Sequence, residues 1–83
     1  MPYMKLGGNS DAFYRVCRAL EATAGVPPGS GGDVAWARKL LAIINRKNRT
    51  DIALVREDYG YIFSYSTPEG AMILSKIKAR YGL

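Results

Sequence analysis

The sequence predicts an α+β fold in one small domain, with its elements in the order helix, helix, β-hairpin, helix. Three observations carry that prediction. Apolar residues recur about every 3.6 positions in the stretches 13–24, 34–48 and 70–81, the period of a helix with one buried face. Between residues 52 and 65 the period falls to about 2, as in strands. The chain has 83 residues, too few to divide into separately cored units. Residues 1–9, with Gly7, Gly8 and Asn9, read as a flexible lead-in, and 10–83 as the domain.

The first helix is expected over 10–24. Ser10 or Asn9 caps it, and Asp11 sits where the helix dipole favours an acid. Phe13, Val16, Cys17, Leu20 and Ala24 form its apolar stripe, with Asp11, Arg15, Arg18 and Glu21 on the polar side. Gly25 stops it, and Pro27 and Pro28 prevent continuation. The stretch 25–32, GVPPGSGG, is a connector without regular structure, and it lacks the spacing of a phosphate-binding loop. Asp33 caps the second helix, which runs to about Asn48. The hairpin spans about 51–65, turning at Glu57, Asp58, Tyr59 and Gly60. Thr67, Pro68 and Glu69 then open the last helix, 67–81, by capping threonine, proline in the first turn and an early acid. The expected core includes Phe13, Leu20, Trp36, Leu40, Ile44, Ile73 and Ile77.

Composition excludes much. With no histidine and one cysteine, the chain has no zinc finger, no intramolecular disulfide and no histidine-dependent catalytic unit. Its seven acids are scattered over caps, turns and polar faces, so no enzyme activity, cofactor, metal site or small-molecule substrate is indicated. One unpaired thiol, no long apolar run and no leader-like N-terminus point to a cytoplasmic protein.

Charge points to a partner. The net charge is +5 and the sequence pI about 9.6, which favours a polyanion. Between Val34 and Thr50 stand five cations and no acid. On a helical wheel Arg38, Lys39, Arg46 and Arg49 share one face with Ala35 and Ala42, opposite the apolar arc. Lys47 interrupts that arc, its stem lying along apolar surface. Cations beside small side chains suit a helix in the major groove of duplex DNA. A second basic set, Lys76, Lys78 and Arg80, lies on the last helix, and the sequence leaves open whether the two share a surface.

The run Tyr61-Ile62-Phe63-Ser64-Tyr65-Ser66-Thr67-Pro68-Glu69-Gly70, a hairpin strand leading into TPEG and an apolar helix, resembles the end of winged-helix regulators of the MarR-like and PadR-like kind. The resemblance covers 33–83. It implies a winged-helix-like fold and DNA-binding in transcription regulation. Residues 33–48 take the place of the recognition helix and 57–60 the wing tip, with Arg56 and Tyr59 placed to touch backbone or minor groove. The DNA-binding set is then Arg38, Lys39, Ala42, Arg46, Lys47, Arg49, Arg56 and Tyr59. Two departures stand out: the connector occupies the place of a separate second helix, and Glu57 and Asp58 at the tip would repel phosphate.

Other readings follow from the same residues. Tyr61, Phe63 and Tyr65 share a strand face that can stack on unpaired bases, although a hairpin beneath three helices must bury one face, which favours a core role. A basic protein of this kind can also be a structural or protein-interaction module with no nucleic-acid ligand. The small core and short footprint favour a homodimer, through Met72, Leu74, Tyr81 and Leu83.

Overall fold

The computed structural model describes residues 3–4, 10–29, 31–57 and 60–81, the side chains of 10–12, 57, 60 and 81 excepted. The elements are β1 (Tyr3–Met4), α1 (Ser10–Ala24), α2 (Val34–Asn48), β2 (Ala53–Glu57), β3 (Gly60–Ser64) and α3 (Pro68–Tyr81). The α+β class and the order helix, helix, hairpin, helix are as expected. The lead-in is not. Tyr3 and Met4 pair antiparallel with Ser64 and Phe63, giving a three-stranded sheet of order β1-β3-β2. Two residues are too few to display a period, and their partner lies some sixty positions away in the chain. Only the folded sheet reveals this strand.

Register places Met4, Phe63 and Leu54 side by side on one sheet face. That face meets the helices: Phe63 and Leu54 are buried, and Met4 packs against the same cluster. Val16, Cys17, Leu20, Leu40, Leu41, Ile44, Leu74 and Ile77 complete the core. Phe13, Trp36 and Ile73 are only partly buried. Leu74 has 0% exposure, which corrects the dimer surface expected from sequence. Its turn of α3 faces inward, whereas Met72 is exposed. Leu83 and the Tyr81 side chain lie outside the described residues.

Replacing Leu40, which has no exposed surface, with alanine should cost about 2–5 kcal/mol through lost burial and a residual cavity. A domain of this length has about 4–12 kcal/mol in total. Urea unfolding monitored by circular dichroism should show a lower midpoint at unchanged slope.

Cys17 is a core residue in the same cluster. Burial pushes its thiol up to about 11 from an ordinary value of 9.0. The neutral thiol is favoured by folding, so this contribution is complete below pH 9 and is lost as pH rises towards 11. At pH 8 a thiol reagent should label the native protein at least about a hundredfold more slowly than the urea-unfolded chain. Equal rates would contradict the burial.

The connector between α1 and α2 is held by a buried carboxylate. Gly25, at φ +76°, turns the chain in the left-handed region natural to glycine, and its N–H bonds Ala22 O while Val26 N–H bonds Glu21 O. The chain then runs back along α1. Glu21 has 1% exposure, although periodicity places it on the polar side. Its Oε2 accepts from Gly29 N–H at 2.6 Å, Trp36 Nε1–H at 2.7 Å and an Arg18 η-nitrogen at 3.2 Å. Its Oε1 meets Arg18 Nε at 2.7 Å. Arg18 also donates to the carbonyls of Gly29 and Gly31 and lies 4.5 Å from the Tyr14 ring centroid. A Cβ on Gly29 would fall 3.0 Å from Glu21 Oε2, so glycine permits this approach. Backbone groups of a segment without secondary structure thus find charged partners on α1 and an anchor in Trp36 of α2.

Candidate nucleic-acid interface

Helix α2 begins at Asp33, whose side chain accepts the Trp36 N–H at 2.7 Å. Ala37, Leu40, Leu41 and Ile44 turn into the core. The opposite face is exposed at Ala35, Arg38, Lys39, Ala42, Arg46 and Arg49, the residues the wheel brings together. No acid lies within α2 itself. Arg38 is tied down at one point, an η-nitrogen donating to Leu54 O at 3.3 Å on β2. Arg56 follows Leu54 by two residues on the same side of that strand and is exposed.

Lys47 has another job. Its Nζ donates to Ala24 O at 2.7 Å, satisfying one of the carbonyls left open at the end of α1 and placing a cation at the negative end of that helix dipole. Tyr59 and Asp58 lie outside the described residues, as does the Glu57 side chain. Among the aromatic strand residues, Phe63 is buried. Tyr61 is half-buried with its ring centroid 5.3 Å from that of Phe13, and Tyr65 packs against the core. These three form no exposed stacking platform.

Arg49 closes α2 with φ 55° and ψ 44°. Among the described residues it is the one non-glycine with positive φ. Glycine or asparagine would take this conformation at lower cost, roughly 1 kcal/mol for a residue with a Cβ. Asn45 secures the turn: its Oδ1 accepts from Ile52 N–H at 2.9 Å and from Thr50 Oγ1–H at 2.8 Å, and its Nδ2 donates to Ile52 O at 2.9 Å. Periodicity gave no reason to single out Asn45. An asparagine eight residues before a strand has no local signature. Across the sheet end, Asp51 accepts from both the hydroxyl and the N–H of Ser66. Those bonds, the hydroxyl's first, hold its carboxyl below the ordinary range. Their stabilisation is present above the ordinary carboxylate pKa and is lost on acidification.

Two cations of the second basic set come close to the C-terminal turn of α1, where Lys47 also reaches. Lys76 and Arg80 line a cleft with Ala22 and Thr23, directly before Ala24, the residue that receives Lys47. Lys78 is exposed on α3 but does not line the cleft.

No helix among the described residues is long and apolar enough to cross a membrane. No group of three or more potential metal-ligating side chains occurs among them. No protein-family model matches the chain, and neither a curated protein nor a solved structure matches it.

Proposed function

We propose that this protein binds duplex DNA through the exposed face of α2, with phosphate contacts supplying most of the affinity. The observation that carries the reading is the acid-free, exposed set Arg38, Lys39, Arg46 and Arg49 around Ala35 and Ala42. Long cations reach phosphates at the groove edges, while alanines let the helix approach the bases. The position of α2 directly before a hairpin suits the winged-helix resemblance, and a role in transcription regulation follows from it. Arg56 on β2 adds a contact at the flank. One such module covers a short stretch of duplex, so a homodimer belongs to the same proposal.

Arg49 gives a test in which stability and binding move in opposite directions. Arg49→Gly removes a cation and relieves the left-handed backbone. Its melting temperature should be equal or higher, while the salt slope of duplex binding, read by fluorescence anisotropy, should shrink by about 0.9. An unaltered slope in the folded variant takes Arg49 out of the interface. Absence of salt-dependent binding by the unsubstituted protein rejects the reading as a whole.

A further inference from the structure

The last helix carries an exposed row whose charge pattern is its own complement. At about 100° per residue, Glu69, Met72, Ile73 and Lys76 fall within one arc of about 100° on α3, while Gly70, Leu74 and Ile77 are buried. Glu69, Met72 and Lys76 are exposed, Met72 at 56%, and Ile73 is half-buried. Glu69 stands in the first turn of α3, and Lys76 follows two turns later, about 10 Å along the axis. Midway between them lie Met72 and Ile73. Neither charged side chain has a hydrogen-bond or ion-pair partner among the described residues. Arg80, one turn beyond, already interacts within the chain, so Lys76 is the cation of this row. Beside the row, Ile73 forms one wall of a largely apolar cleft of about 230 Å³ between α3 and the last turn of α1, shared with Ala22, Thr23 and Ile77.

We propose that a second copy of the chain docks on this row, the two α3 helices packing antiparallel about a two-fold axis that passes between Met72 and Ile73. A two-fold axis makes opposite positions reciprocal. With Met72 opposite Ile73 of the second copy, Glu69 falls opposite Lys76 at one end and Lys76 opposite Glu69 at the other. One register thus places the exposed methionine on apolar surface and pairs both charges. Each Met72 reaches the Ile73 wall of the other copy's cleft, and methionine, unbranched and flexible, fills irregular apolar gaps. A parallel pairing would set like charges abreast. Duplex DNA would be repelled by Glu69, and an unrelated protein would have to carry the reverse of this pattern, which a second copy already has. The apolar centre supplies the affinity, while the exposed ion pairs, worth little each, set orientation and register. Two helical turns make a small interface, so the dimer forms reversibly with concentration. The interface rests on the homodimer part of the functional reading above and on no property of the α2 face.

Sedimentation equilibrium at about 50 mM salt, where surface charges are weakly screened, should show the 9.1 kDa chain passing to twice that mass between about 1 μM and about 1 mM. Met72→Asp buries a carboxylate at the centre of the interface and should hold the chain at 9.1 kDa throughout this range. Glu69→Lys sets a lysine against Lys76 of the second copy, and Lys76→Glu sets a glutamate against Glu69; each should weaken self-association at least about tenfold. An equimolar mixture of these two variants restores opposite charges across the axis and should dimerise with wild-type affinity. All three positions are exposed, so each variant should keep the wild-type circular dichroism. A wild-type chain that stays monomeric over the whole range overturns the interface and the homodimer together. Dimerisation retained by folded Met72→Asp, or a mixture that associates no more tightly than either variant alone, overturns the interface and leaves the homodimer in place. The solutions contain no DNA, so failure here leaves the duplex-binding proposal standing.

Discussion

Replacing Glu21 with alanine should destabilise the domain by about 3–5 kcal/mol, the usual cost of removing one partner from a buried ion pair. Three separate losses contribute. Gly29 N–H and Trp36 Nε1–H lose their acceptor, and each buried unsatisfied donor costs about 1–3 kcal/mol. Arg18 loses its countercharge. Its side chain is 21% exposed, so water recovers part of that last term and the total should fall towards the lower end. Glu21→Gln separates charge from hydrogen bonding: its carbonyl oxygen can still serve Gly29 or Trp36, while its amide confronts Arg18 donor to donor. An intermediate loss is expected. Urea titration read by circular dichroism measures both, and a cycle with Trp36→Phe read the same way should show coupling, because the two residues share a hydrogen bond. A loss under about 1 kcal/mol for Glu21→Ala would mean that the connector is not held by this carboxylate. The consequence reaches function, since the same oxygen joins α1 to α2 and so helps set where the cationic face points.

Removing three cations from that face, by Arg38→Ala, Lys39→Ala and Arg46→Ala together, should reduce duplex affinity on the order of a hundredfold at about 0.1 M salt. Each lost phosphate contact removes about 0.9 from the slope of log affinity against log salt, so the slope should fall by about 2.7. Arg38 also bonds Leu54 O, and its loss can loosen the α2 to β2 seam. The double variant Lys39→Ala, Arg46→Ala avoids that bond and should lower the slope by about 1.8. Anisotropy with a labelled duplex from 50 to about 300 mM salt reads both. Wild-type affinity and slope in a folded triple variant would remove this face from the interface. Equal affinity for every duplex sequence would leave binding in place and favour DNA coating over regulation.

Periodicity and local residue chemistry sufficed for α1, α2 and α3, the hairpin, the caps at Asp33 and Thr67, and the sorting of α2 into an apolar and a cationic side. These are local properties: a helix stripe and a capping side chain act within a few residues of one another. What sequence could not supply were pairings between distant segments. Strand β1 exists because Tyr3 and Met4 meet Ser64 and Phe63. Glu21 reads as polar surface until the connector folds back over it and Trp36 reaches it from α2. Leu74 reads as surplus apolar surface until the core closes over it. Lys47 is one cation among five until its Nζ meets the end of α1. Each outcome depends on which element packs against which, and burial and hydrogen bonding between remote residues are settled only when the chain is assembled in three dimensions.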